Sequence, residues 1–187
     1  FLGRAHRRNH FLDTVRWAGE AGFANCNADV IFGIPGQTLD QWLETLEKTV
    51  ACDISHLSAY SLKIEEGTVF HDWRQSGRLR ETDEEDEREM YHRGIELLHR
   101  LGLEQYEISN FAGKGFACRH NLIYWRNGEY IGCGSGAHSH LHSVRRGNVR
   151  DIGAYIDRIR SGRPATDFRE EIDDRTELFE TLMLGFR

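Results

Sequence analysis

No apolar run in this sequence approaches the roughly 20 residues that a bilayer span requires; the longest, such as Val30-Ile31-Phe32, are far shorter. No charged-then-apolar leader opens the chain either, so the expected setting is cytoplasmic, without a transmembrane segment. Clustered basic charge is also lacking. With 24 Lys and Arg against 30 Asp and Glu the formal net charge is -6, and apart from Arg145-Arg146 the cations are scattered. Phosphate binding needs grouped cations that release counterions, so no nucleic-acid partner is expected. The cysteines Cys26, Cys52, Cys118 and Cys133 lie 26, 66 and 15 residues apart. That spacing fits neither a zinc-ligand pair nor a compact iron–sulfur motif, and the thiols are expected to be reduced and structural. Internal repeats and low-complexity linkers are absent. The sequence opens at Phe1 without an initiator Met and stops at Phe186-Arg187 inside an amphipathic pattern, which predicts a piece of a longer polypeptide.

What is present is an ordinary globular composition, 39% hydrophobic and 29% charged over 187 residues, enough for one sizeable core. The first two-fifths alternate helical and strand-like patterns, as βα units do. Phe11, Leu12, Val15 and Ala18 keep helical spacing, with Gly22 where a left-handed C-cap is wanted. Residues 23–34 read as a strand whose parity puts Asn25, Asn27 and Asp29 on one face, either the wet face of a sheet or the lumen side of a barrel. Thr38 and Gln41 form a capping box for a helix with the stripe Leu39, Trp42, Leu43, Leu46 and Val50. Residues 54–62 give a second buried strand. Glu65-Glu66-Gly67-Thr68 turns the chain, and Thr82 with Glu85 opens a helix running to Gly102. Residues 105–111 read as one short strand, 121–130 as irregular or hairpin-like, and Ile152, Tyr155, Ile156 and Ile159 as a helix ending at Gly162.

Several positions invite chemistry. Gly33-Ile34-Pro35-Gly36-Gln37 is a strand-to-helix loop, either shaped against a ligand or a plain turn. Asp29 on an apolar strand needs donors, from ribose hydroxyls or from a buried salt bridge to a residue such as Arg4. His120-Asn121-Leu122-Ile123-Tyr124-Trp125 brings together an imidazole, an amide, a phenol and an indole. Read alone they form an aromatic core with a histidine satisfied by backbone, or else suit a macrocycle with a ligated iron. Tyr130 to Ala137 fits the dinucleotide fingerprint GxGxxA, but His138-Ser139-His140-Leu141-His142-Ser143 follows where a helix is required. Those three histidines alternate and could bind a divalent metal or line an exposed strand.

Taken together and in order, Leu2-Gly3-Arg4-Ala5-His6, residues 27–38, 56–62, 105–112, 120–125 and 130–139 resemble HemW-like proteins, heme-trafficking relatives of oxygen-independent coproporphyrinogen III oxidase in the radical S-adenosylmethionine (SAM) superfamily. The HNxxYW block separates this branch from the oxidases. The resemblance implies an α/β fold, the C-terminal portion of a partial (β/α)6 radical SAM barrel plus the start of a mainly helical C-terminal extension. It divides the chain into barrel (1–112), a connecting segment (113–175) and the extension (176–187). By matched position Arg4, Asp29 and His138 look like SAM contacts, and His120, Asn121, Tyr124 and Trp125 match the heme-associated motif, with His120 the iron ligand. The implied cofactors are SAM, heme and a [4Fe-4S] cluster whose CxxxCxxC ligands are not in this sequence. The implied partners are heme or a porphyrin and acceptor hemoproteins. Two rival expectations are a coproporphyrinogen III oxidase and a metal-dependent barrel hydrolase built on His138, His140 and His142.

Overall fold

The computed structural model describes residues 5–186, which divide between Ala117 and Cys118 into two compact units. Arg4 lies outside the described residues. In the first unit, helix α1 (Arg8–Glu20) ends at Gly22, whose φ of 89° is the left-handed conformation expected there. Strand β1 (Asn27–Phe32), helix α2 (Leu39–Val50) and strand β2 (His56–Ser61) form the predicted βαβ unit, with β1 and β2 parallel in the register Asn27↔His56 to Phe32↔Ser61. Thr38 and Gln41 make the capping box of α2. Its stripe drives Trp42 and Leu46 into the core, 1% and 0% exposed.

Helix α3 (Val69–Gln75), which no sequence pattern announced, is capped by the Thr68 hydroxyl. Helix α4 (Glu84–Arg100) carries Glu84, Glu85, Asp86 and Glu87 in its first turn and His99 and Arg100 in its last, matching the helix dipole. Its N-cap is Asp83 rather than the expected Thr82, because the Thr82 hydroxyl instead donates to the Gly33 carbonyl at 2.9 Å. The single strand expected over 105–111 is two, β3 (Glu104–Glu107) and β4 (Asn110–Ala112). The Glu107 carboxylate accepts from the Ser109 N–H at 2.8 Å and from the Asn110 amide, so a side chain closes the turn and reverses the chain. The sheet order is β1-β2-β4-β3, with β4 antiparallel to both neighbours. One face packs Ala28, Phe32, Leu57, Ala59 and Phe111 in the same core as Trp42, Leu46, Met90, Leu97 and Leu98.

The second unit runs helix α5 (Arg119–Trp125), strands β5 (His138–Leu141) and β6 (Val144–Asn148), helix α6 (Ile152–Arg160), strand β7 (Thr166–Glu171) and helix α7 (Asp174–Leu184). Its sheet is antiparallel in the order β5-β6-β7. His142 and Ser143, at φ 52° and 56°, supply the two left-handed residues of a tight hairpin between β5 and β6. The stretch expected to be irregular, 121–130, begins as α5 and turns at Asn127, φ 50°. No helix among the described residues is long and apolar enough to cross a membrane.

Candidate functional site

Strand parity dictates the first site. Opposite the packed face of the β1–β2 pair lie Asn27 and Asp29, level with His56 and Ser58. Asn27 and Asp29 are exposed while His56 and Ser58 are buried, so the face grades from wet to dry across two strands. The Asn27 amide donates to Asp29 Oδ1 at 2.8 Å. Asp29 is exposed and makes no ion pair among the described residues, of which Arg4 is not one. An exposed carboxylate with one oxygen held by an amide suits the paired hydroxyls of a ribose.

His56 sits between Asn27 Oδ1, 2.6 Å from Nδ1, and the Tyr106 hydroxyl, 2.8 Å from Nε2. Burial pushes its pKa below the ordinary value, against the upward pull of Asp29 and Glu107. Asn27, His56 and Tyr106 were not singled out from the sequence for chemistry. Asn27 stood out only by parity, and the other two only as members of recognisable blocks. At the C-terminal end of β1, Gly33 and Gly36 adopt φ of 70° and 80°, and Thr82 pins the loop to the start of α4.

The second site is α5. Its i, i+4 spacing stacks His120 over Tyr124, rings edge-on at 4.8 Å, and places Asn121 and Trp125 on the adjoining stripe. Tyr124 continues to Tyr130 at 4.5 Å. Tyr130 exchanges both backbone hydrogen bonds with His140 at 2.9 Å, which ties the aromatic column to β5. His120 is exposed, whereas Tyr124 and Trp125 are half-buried and line a cavity of about 200 Å³ with Tyr130, His140, Arg145 and Glu180. Pockets that enclose drug-sized ligands run from about 300 Å³ upward. The cavity is therefore too small to enclose a macrocycle. Arg145 bridges Glu180 at 2.7 Å and Glu170 at 3.2 Å, and the Glu180 hydrogen bond holds its pKa above the usual arginine value.

The glycine loop is no dinucleotide cradle, since β5 and not a helix follows it. His138, on β5, lies exposed with its ring against Gly147 and 6.2 Å from Phe168. The three histidines do not converge: His140 is buried, and His142 leaves the strand in the turn, its Nδ1 3.3 Å from Glu129. Among the described residues no group of three His, Cys, Asp or Glu could hold a metal ion, which deprives the hydrolase reading of its ligands. The four cysteines are unpaired with one another and do not fit a [4Fe-4S] cluster. The structure thus brings His120 and Tyr124 together with their α5 neighbours, while Asp29 belongs to the first unit and His138 to strand β5 of the second.

No family model matches the chain. Similarity to individual proteins is extensive. The heme chaperone HemW of Bacillus subtilis is 38% identical over 187 residues, covering 100% of this chain and 49% of its own length. That of Synechocystis is 36% identical over 99% of this chain and 45% of its own. The mitochondrial radical S-adenosyl methionine domain-containing protein 1 of Danio rerio is 33% identical over 100% and 44%. The chain spans about half the length of these relatives. Among solved structures, the coproporphyrinogen III oxidase HemN from Escherichia coli, a radical SAM enzyme, superposes with a TM-score of 0.77 over 99% of this chain and 46% of its own, at 17% identity. That likeness establishes the fold alone, a mixed α/β architecture shared with about half of that enzyme.

Proposed function

The chain belongs with the HemW-type proteins of the radical SAM family, and from that premise we propose that it carries the heme-holding face of a heme chaperone that works in the cytoplasm and passes heme to acceptor hemoproteins. The observation that carries the reading is the α5 column, an exposed imidazole set edge-on against half-buried Tyr124, with half-buried Trp125 on the adjoining stripe. His120 would ligate the iron, Tyr124 would steady the imidazole edge, and Trp125 would add apolar surface. Asn121 completes the motif on the same stripe as Trp125. Asp29 would accept from the ribose of SAM, with Arg4 and His138 as the further contacts that the family resemblance assigns. SAM and the [4Fe-4S] cluster serve in support, and since this chain has no ligand set for the cluster, no step is derived through it.

A second reading, oxidative decarboxylation of coproporphyrinogen III, draws on the fold shared with HemN. The HNxxYW block favours the first. The discriminating experiment is heme titration of the full-length protein followed by its Soret band. His120→Ala should shift or abolish the band. Tyr124→Phe should keep ligation and lose about 1 kcal/mol at most, and Trp125→Ala should weaken binding without moving the band. If His120→Ala and Trp125→Ala both lower the melting temperature and leave the heme spectrum unchanged, α5 is core and not site.

A further inference from the structure

The hydrogen bonds on the polar face of the first unit have a direction that the side chains themselves fix. Asn27 has its Nδ2 2.8 Å from Asp29 Oδ1. A carboxylate only accepts, so the amide nitrogen and not the oxygen must face it. The amide oxygen is thereby turned toward His56 Nδ1 at 2.6 Å and the Ser58 hydroxyl at 3.3 Å, and can only accept from both. His56 must then carry its proton on Nδ1. With the ring neutral, as its burial favours, Nε2 is an acceptor and the Tyr106 hydroxyl donates to it at 2.8 Å. Tyr106 belongs to β3 and His56 to β2, so this contact spans the intervening β4.

We propose that Tyr106, His56 and Asn27 are positioning residues for Asp29, three hydrogen bonds in series running Tyr106→His56→Asn27→Asp29 that fix one carboxylate oxygen and present the other to a nucleoside ribose. The inference rests on the reading of Asp29 as a ribose contact. Among the described residues Oδ2 of Asp29 accepts no hydrogen bond, and the series runs from half-buried Tyr106 through buried His56 out to exposed Asn27 and Asp29. An exposed carboxylate in water samples several rotamers, and holding it in one lowers the ordering cost of a ligand that needs two hydroxyls met at once. Ser58 reinforces the amide orientation, its hydroxyl donating to Asn27 Oδ1 and, among the described residues, not to Asp29.

The test is calorimetric titration of the full-length protein with S-adenosylhomocysteine, which binds without turnover. Asn27→Ala should weaken binding roughly three- to ten-fold, the scale of one net hydrogen bond lost indirectly through the carboxylate it holds. Combined with Asp29→Ala it should weaken binding no further than Asp29→Ala alone, because Asn27 acts only through that carboxylate. Tyr106→Phe, which keeps the ring and therefore the fold, should give a smaller loss in the same sense and move the His56 Nε2 resonance in ¹⁵N spectra. Losses that simply add in the double variant, or unchanged affinity in both Asn27→Ala and Tyr106→Phe while Asp29→Ala binds weakly, would overturn the relay and leave the ribose contact standing. Unchanged affinity in Asp29→Ala would overturn the ribose contact, and the relay with it.

Discussion

A Cβ on Gly132 would lie 2.0 Å from the carbonyl oxygen of His138, and the Gly132 N–H donates to the Ser139 hydroxyl at 2.9 Å. The glycine is thus required by the close fold of the loop onto β5. Gly132→Ala should destabilise the second unit by about 1–3 kcal/mol through forced backbone displacement, read as a lower midpoint in denaturant titration. An unchanged midpoint would mean that the loop moves aside freely. At this scale legibility followed the range of the interaction. Thr38 and Gln41 work across three residues, and their spacing in the sequence announces them, whereas His120 and Tyr124 were legible as members of one block but not as an i, i+4 pair. His56 meets Tyr106 across 50 residues, a distance at which no local pattern pairs an imidazole with a phenol. The mutual arrangement of Asn27, His56 and Tyr106 therefore emerged only in the folded sheet, although Asp29 at its end was already conspicuous as a carboxylate on an apolar strand.

Among the elements, α2 and α4 pack through a contact whose tolerance can be measured. Trp42 Nε1 donates to the Met90 carbonyl at 2.9 Å, and a Cβ on Gly94, one turn along α4, would come 3.0 Å from the same nitrogen. In a free helix Gly→Ala gains about 1 kcal/mol. Here the pinned indole cannot give way, so Gly94→Ala should instead destabilise by about 1–3 kcal/mol. In a Trp42→Phe background, which removes the clashing atom, the same change should turn neutral or favourable. A Gly94→Ala variant that melts higher than wild type would refute the tight contact. Elements with long apolar stripes or strong caps, such as α2 and α4, were legible. Helix α5 was not, since it is seven residues long and its N-cap Cys118 makes no side-chain capping bond. Strands β6 and β7 read Val-Arg-Arg-Gly-Asn and Thr-Asp-Phe-Arg-Glu-Glu, and half-exposed strands so rich in charge lack the apolar alternation that marks a sheet.

On the scale of the whole molecule, the parallel βαβ portion could be read from periodicity because its strands are buried on one face and its crossover helix is amphipathic. The antiparallel hairpins depended on turns closed by Glu107 and by His142-Ser143. The buried polar face also sets how the fold responds to acid. His56 has a folded-state pKa below its ordinary 6.5, chiefly because burial disfavours the charged ring. Between the two values the unfolded chain binds a proton that the folded chain refuses, so stability is complete above about pH 6.5 and falls as pH drops through that window. One such group changes stability by at most about 1.4 kcal/mol per pH unit. Carboxylates with lowered pKa act the other side of this window: Glu44 and Asp173 have ordinary values of 4.5 and 3.8, and their contributions are lost only as pH falls below those. As pH falls below 6.5 the first unit should therefore weaken through His56, with its charge attracted by Asp29 and Glu107 but its ring buried between Asn27 and Tyr106. Urea midpoints measured across pH 5 to 7.5, with amide exchange in β2 as the local probe, should fall with acid in the wild type. His56→Gln should flatten that slope while lowering the plateau. A wild-type slope that persists in His56→Gln would assign the acid sensitivity to another group and leave the neutral, Nδ1-protonated ring without support.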